Sequence, residues 1–375
     1  MNVLVTGGAG FIGTHIARRL LHEGCSVTIL DNFNPQVHGD VRALPSDLAP
    51  HVDLQVGDVR DETAVARALR GQEAIVHLAA ETGTGQSMYE VIRYEDVNVH
   101  GTAMLMHCLA NDKSSSLRRV LVASSRAIYG EGKYKCPNDG DVYPEGRRVE
   151  DMLAGQFEPR CPICGNECEV QPTGEDSALK PASFYGLTKQ MQEQMTLLFA
   201  NMIGFTAVAL RFQNVYGPGQ SLKNPYTGIL AIFSNQARAH APINIFEDGF
   251  ESRDFVFIDD AVEAAWRCIL DTSMRAETLN VGSGDRVAVK EVVHAIANYF
   301  CSRSESRITG AFRQGDIRHS VADLQKARRL IGFTPRWQFR EGIRRFLDWV
   351  TSQEPALHRY EFSLQEMRER GLLHG

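Results

Sequence analysis

The chain has 375 residues, 43% of them apolar and 23% charged, which is globular composition with length for two domains and excludes a disordered, collagenous or coiled-coil chain. Forty basic residues against 46 acidic ones leave a net charge of −6, so no global positive field draws in nucleic acid or an acidic membrane, and an anionic ligand must be met by local groups. No apolar run approaches the ~20 residues of a spanning helix, and Met1 to Thr6 already reads as a buried strand rather than a signal peptide; the expectation is a soluble cytoplasmic protein that binds neither nucleic acid nor membrane.

In chain order, Val3 to Val5, Val27 to Leu30, Leu54 to Val56 and Ala74 to Leu78 are short β-branched runs, and Ile16 to Leu21 carries helical spacing. That rhythm predicts βαβαβ units, a parallel sheet and right-handed crossovers. Val120 to Ala123 and Ala207 to Phe212 read as further strands, separated by helical patterns around 97–110 and 183–202. The predicted fold is α/β, a doubly wound parallel (Rossmann) sheet. Beyond Gly217, helical patterns near 228–240, 259–271, 289–301 and 340–350 predict a smaller C-terminal α/β substrate domain. The division expected is 1–214 and 215–375, with elements partly interleaved.

The first strand runs into Gly7-Gly8-Ala9-Gly10-Phe11-Ile12-Gly13, a GxxGxxG spacing that opens a helix. Glycines there permit a tight turn and let the backbone touch a pyrophosphate, whose charge is favoured at a helix N-terminus. Asp31 stands 18 residues after Gly13 at the end of the second predicted strand, where an acid hydrogen-bonds adenosine ribose hydroxyls and repels a 2′-phosphate. With no Arg or Lys in Asn32 to Gln36, NAD is favoured over NADP. Asp58 and Val59, after the third strand, would serve the adenine amino group and ring.

Tyr185 and Lys189 share one face of a predicted helix. A Lys ammonium and a nicotinamide cation near a phenol favour its ionised form, making a general base from a group whose pKa is ordinarily about 10. Ser124-Ser125 ends a predicted strand.

With these motifs the chain resembles the extended short-chain dehydrogenase/reductase family, and within it the nucleotide-sugar 4-epimerases. The resemblance extends through Leu78-Ala79-Ala80, Ser125-Arg126-Ala127-Ile128-Tyr129-Gly130, Arg211 to Pro218, Arg253-Asp254-Phe255 and Arg313-Gln314-Gly315-Asp316. It implies NAD bound by the cradle, Asp31, Asn32, Asp58, Val59, Leu78, Ala79, Ala80 and Asn98. It implies Ser125 as the catalytic hydroxyl beside Tyr185, with Lys189 on the nicotinamide ribose. Asn214, Arg253 and Arg313 would hold the nucleoside diphosphate of the substrate, with Asp316 also among the substrate-binding residues, and a homodimer would form through the helices near 97–110 and 183–202. The runs Asp31–Gly39, Gln86–Tyr89, Asn224–Phe233 and Gly315–His319 are similar to those of bacterial sequences described as dTDP-L-rhamnose 4-epimerases or as unassigned epimerase/dehydratases, a resemblance that does not fix the sugar.

The two residues after Ser125 bear on the reaction. Sugar dehydratases of the family carry an Asp-Glu pair there, and its decarboxylases a Glu at the second position; here they are Arg126 and Ala127. The resemblance therefore implies 4-epimerisation through a transient 4-keto sugar on a UDP- or dTDP-hexose, 6-deoxyhexose or uronate. The alternatives are a net dehydrogenase or reductase on the same sugars, a dehydratase, and a non-catalytic NAD-binding regulator. Arg126 reaches toward the sugar and suits a carboxylate or another oxygen-rich substituent.

Gly130 and Tyr185 stand 55 positions apart, longer than the resemblance implies, so residues 134–172 read as an insertion. It contains Cys136-Pro-Asn-Asp-Gly140, Cys161-Pro-Ile-Cys-Gly165 and Cys168. CxxC followed by Gly is a zinc knuckle, and the first motif is the same knuckle with Asp139 in the second position. A zinc-ribbon-like structural zinc site is expected on Cys136, Cys161 and Cys164, with Cys168 favoured over Asp139 as fourth ligand. Cys25, Cys108, Cys268 and Cys301 are scattered and read as ordinary thiols.

Overall fold

The computed structural model describes all residues except 113–114, 225, 227, 272 and 355–359; Pro225 and Thr227 of the Asn224–Phe233 run thus lie outside the described residues. Seven parallel strands form the central sheet: β1 (Asn2–Thr6), β2 (Ser26–Asp31), β3 (Asp53–Val56), β4 (Ala74–His77), β5 (Arg119–Ser125), β6 (Thr206–Phe212) and β7 (Ala276–Val281). Their spatial order is β7-β6-β5-β4-β1-β2-β3. The direction of winding reverses between β1 and β4, and ligands of open α/β sheets bind at the carboxyl end of that switch.

The register Val3↔Val27 and Val3↔Ala74 centres β1, and Val3, Leu4 and Val5 are fully buried. Alternation sends Val3 and Val5 into one core and Leu4 into another, as a strand covered on both faces requires. Helices Phe11–His22 and Ile258–Leu270 pack together on one side, and Glu62–Leu69, Gly101–Asn111 and Phe184–Ile203 line up on the other.

The sheet's last strand, β7, comes from residues 276–281, so the later part of the chain completes the first unit. Sequence periodicity missed it because its first half is only half-buried and polar, as suits an edge strand. Helices Gln325–Ile331 and Tyr360–Glu369 were missed too. The helix expected around 97–110 begins instead as a π-helical turn, Glu95–His100, which presents Asn98 to the interior.

Helix Phe184–Ile203 has clear chemical limits. The Ser183 hydroxyl caps its start by accepting from Gly186 N at 3.2 Å, and Gly204, at φ +97°, closes it in the left-handed conformation. Within residues 134–172, Tyr134–Cys136 pairs antiparallel with both Gly140–Val142 and Glu169–Val170, giving a small three-stranded ribbon.

Candidate active site

The glycine cradle is sterically specified. Gly7 sits at φ +66°, and a Cβ on it would lie 2.8 Å from Ala79 N; a Cβ on Gly13 would lie 2.6 Å from both Gly7 O and Gly8 Cα. Gly10 caps helix Phe11–His22 without a side chain, leaving the first-turn amides open to a phosphate, with Phe11 and Ile12 half-buried beside them. Asp31 Oδ2 accepts from Ala9 N at 3.0 Å and Oδ1 from Phe33 N at 2.8 Å, tying the acid to the glycine turn. His38 Nε2 lies 3.6 Å from Asp31 Oδ1, a basic neighbour just beyond the window searched in the sequence. Asp58 accepts from Arg60 Nε at 2.8 Å and from Asn32 Nδ2 at 2.8 Å; chiefly through Arg60 its carboxyl is held at about 2. These residues fit a dinucleotide.

Leu78, Ala79 and Ala80 follow β4 at the switch point, with Leu78 N donating to Thr6 O. Asn98 donates to Glu81 O at 3.1 Å and Thr188 Oγ1 at 2.9 Å, while its Oδ1 accepts from Glu81 N at 2.7 Å. Its amide is therefore a bracket between the 79–81 turn and helix Phe184–Ile203.

Ser125 ends β5, and its Oγ accepts from Ala127 N at 3.2 Å. Tyr185, in the first turn of helix Phe184–Ile203, shares a hydrogen bond with Ser125. Burial raises the phenol by more than Ser125 and the Arg126 charge lower it, so it stands above its ordinary value. Lys189 is not among the groups that act on the phenol in the protein alone. Lys189 is instead turned inward, its Nζ donating to Gln192 Oε1 at 2.7 Å. Gln192 donates to Thr102 Oγ1 at 2.7 Å, and Thr102 Oγ1 lies 3.0 Å from His77 Nε2. Burial brings Lys189 down to about 7 and His77 to about 3. An amine surrounded by these neutral groups keeps hydrogen-bonding capacity for a ligand hydroxyl.

The other anchors of the dyad come from distant sequence. Ser87 Oγ accepts from Tyr185 N at 2.9 Å. Ser124 Oγ donates to Glu193 at 2.7 Å, and Arg211 grips the same carboxylate with contacts of 2.6 and 3.0 Å. This strut locks the helix to β5 and β6. Sequence reading named Ser124 and Arg211, and Ser87 within the run Gln86–Tyr89, only as motif members; Gln192 carried no signal apart from an ordinary polar residue.

Arg126 makes no hydrogen bond or ion pair among the described residues; the charges of Tyr185, Arg253 and Asp316 act on it, and burial brings it down to about 10. Arg253 Nη2 donates to Asp316 Oδ1 at 3.0 Å. Burial pushes Asp316 up, yet Arg253, Arg313, Arg126 and Arg147 outweigh it and hold the carboxyl below its usual value. Three of the expected arginines thus surround one carboxylate, leaving a local positive excess in a net acidic chain. Asn214 reaches the same neighbourhood through the pairing of Asn214–Tyr216 with Phe255–Phe257. Two members were missed: Phe246, with the Arg313 guanidinium 4.9 Å from its ring centre, and Arg147, which donates to Asp316 O at 3.1 Å. Phe246 reads as core in the run Ile243–Phe246, and Arg147 as one charge in a loop.

In the ribbon, ligand atoms of Cys136, Asp139, Cys161 and Cys164 lie within 4.8 Å of one another. Cys168 is outside this group, its Sγ directed at Asn166 O at 3.6 Å, though it packs on Cys136 and Cys161, and burial followed by these two neighbouring thiols pushes its own pKa up. The hairpin pairs Cys136 with Gly140, which swings Asp139 back over the first sulfur.

Residues 3–150 and 161–282 match the family model described as the NAD dependent epimerase/dehydratase family. A dTDP-L-rhamnose 4-epimerase of Burkholderia thailandensis is 36% identical over 357 residues, covering 94% of this chain and 95% of that protein. Among solved structures, MoeE5 in complex with UDP-glucuronic acid and NAD superposes with TM-score 0.75 at 28% identity, covering 94% of this chain and 99% of its own. The UDP-glucose 4-epimerase of Thermotoga maritima with UDP-glucose gives TM-score 0.75 at 27% identity, over 94% and 99% of the two chains.

Proposed function

The chain belongs to the NAD dependent epimerase/dehydratase family, and from that premise we propose that it inverts C4 of a hexose carried on a nucleoside diphosphate, through a transient 4-keto sugar. The observation that carries this reading is the pairing of buried Ser125 with half-buried Tyr185, with Lys189 one helical turn beyond the tyrosine and Arg126, Arg253 and Arg313 gathered at Asp316. NAD, when bound in the Gly7–Gly13 cradle, supplies the acceptor for the hydride leaving C4 and its donor on return. Asp31 favours it over NADP, because a 2′-phosphate would meet a carboxylate.

Tyr185 Oη takes the proton of the 4-hydroxyl and later returns it, and Ser125 Oγ orients that hydroxyl. Lys189, exchanging Gln192 for the nicotinamide ribose, brings its positive charge to bear on the phenolate. Arg253 and Arg313 neutralise the diphosphate, and Phe246 offers a ring for the base to stack on. The keto sugar must turn over while this end stays fixed, so firm diphosphate contacts and looser sugar contacts are what the chemistry demands.

Support for epimerisation over elimination lies in Arg126 and Ala127, which offer no acid–base pair after Ser125. Arg126, charged and unpartnered beside Tyr185, suits a substrate with a carboxylate or other oxygen-rich group on the sugar. Arg126→Ala is expected to raise KM for a nucleotide uronate at least ~10-fold, with a smaller rise for the matching neutral hexose. It also removes a positive charge that lowers the Tyr185 pKa, so the ascending limb of the pH–rate profile, which reports that base, moves to higher pH. Steady-state kinetics on the two substrates across pH 6–10 check both; equal losses on both substrates would remove Arg126 from specificity.

A homodimer is part of the same reading: Leu187, Met191, Leu198 and Met202, the last 70% exposed, form an apolar stripe on helix Phe184–Ile203. No helix among the described residues is long and apolar enough to cross a membrane.

A further inference from the structure

The insertion is too small to hold itself together by burial. Its ribbon core consists of Tyr134, Cys136, Val142 and Cys161, with Cys168 and Val170 partly covering them, and units of this size need a staple. The four ligand groups converge at its centre. Cys136 Sγ lies 3.4 Å from Cys164 Sγ, and Asp139 Oδ2 lies 3.3 Å from Cys136 Sγ and 3.1 Å from Cys161 Sγ. Both turns direct amides at sulfur: Asn138 N to Cys136 Sγ and Ile163 N to Cys161 Sγ, each at 3.4 Å. Such N–H···S contacts stabilise thiolates that bind a metal. Gly165, at φ +75°, closes the second knuckle. Cys136 and Cys161 are buried while Cys164 and Asp139 are exposed, which gives an ion a route in.

The segment between Asp139 and Cys161 grips the substrate side. Met152 and Phe157 pack on Phe312, the neighbour of Arg313. Arg147 donates to Asp316 O and pairs with Glu247 at 2.8 Å. Glu158 pairs with Arg318 at 2.7 Å and lies 3.1 Å from His319 Nε2. The two ends of this loop come together at the cysteine cluster, and Arg147 Nη1 donates across it to Phe157 O at 3.2 Å.

We propose that Cys136, Asp139, Cys161 and Cys164 bind one structural zinc ion per chain, and that this ion fixes the loop gripping Phe312–His319 and so positions Arg313 and Asp316. Three thiolates and one carboxylate make a closed tetrahedral site, which suits zinc bound for structure. The ion does not touch the reacting atoms; it acts on substrate affinity through Arg147, Phe157 and Glu158. The zinc assignment stands on the cluster alone, whereas the effect on affinity rests on the proposed reading of Arg313 and Asp316 as substrate ligands.

The experiment is elemental analysis of the whole protein purified without chelator, alongside Cys164→Ser, Asp139→Ala and Cys168→Ser. About one zinc per chain is expected in the wild type and in Cys168→Ser, falling at least ~10-fold in the other two. Limited proteolysis should then cut between 139 and 161 only in the depleted variants. With nucleotide sugar, those variants should show KM raised ~10-fold or more, kcat within ~3-fold and NAD affinity unchanged. Metal-free wild-type protein that takes up no added zinc, or a Cys136–Cys164 disulfide in its place, would overturn the site. Zinc lost from Cys168→Ser but kept in Asp139→Ala would overturn the ligand set. Zinc loss and proteolysis as expected with unchanged KM would overturn the positioning role and leave the site standing.

Discussion

Turnover of Tyr185→Phe is expected to fall at least ~10²-fold while fold and NAD affinity hold. The substitution removes one oxygen whose hydrogen bond is to Ser125, and leaves the ring in edge contact with Tyr94, 6.4 Å between centroids. Nothing in the Gly7–Gly13 cradle touches that oxygen. Because burial holds the phenol above its ordinary value in the protein alone, the residue works as a base only when cation charge gathers around it, so the wild-type rate should climb with pH and that climb should vanish in the variant. Circular dichroism, NAD calorimetry and product formation separate the cases; turnover within a few-fold of wild type would remove Tyr185 from the proton transfer.

Lys189→Met should do two opposite things. It should cut turnover ~10²-fold or more, because no other cation on that helix face serves the phenolate and the ribose. It should also stabilise the NAD-free protein. The folded pKa of Lys189 is depressed to about 7 by burial, against about 10.5 in the unfolded chain. Below pH 7 both states carry the proton and the folded state bears the full cost of a buried ammonium, on the order of a few kcal/mol. Between pH 7 and about 10.5 the folded state has released its proton while the unfolded state keeps it, and the cost shrinks as pH rises. The gain in stability of Lys189→Met should therefore be larger at pH 6 than at pH 9. Urea denaturation of NAD-free wild type and variant at the two pH values checks this, and a gap that widens with pH would contradict it. A function-bearing lysine that destabilises its own fold is the familiar exchange of stability for activity.

What could be read from sequence was what spacing alone determines. Gly7, Gly10 and Gly13, with Asp31 at the end of the next strand, and Tyr185 with Lys189 one helical turn apart, depend on the repeat of a single element, and the structure has the strand, helix starts and strand end on which that reading set them. The arginines were legible as residues but not as a cluster, since Arg126, Arg253 and Arg313 meet around Asp316 only after three separate chain segments have folded together. The fourth group beside the three cysteines turned on hairpin register: pairing Cys136 with Gly140 brings Asp139 over the sulfurs, and no composition rule distinguishes that from Cys168. Arg147 and Glu158 are lone charges in a loop and acquire meaning only against Phe312–His319. The inward turn of Lys189 to Gln192 was illegible for a different reason, because it reflects a buried network of Thr102 and His77 contributed by two other elements.

The central claim is that one set of residues removes and restores hydrogen at the same sugar carbon. The direct measurement is NMR of the sugar products after incubating purified protein and NAD with UDP- and dTDP-linked hexoses, 6-deoxyhexoses and uronates, with NADH followed in parallel. The account predicts that one of these substrates converts to an equilibrium mixture of C4 epimers with no net NADH. Stoichiometric NADH with an oxidised sugar, or a product lacking the elements of water, would contradict it.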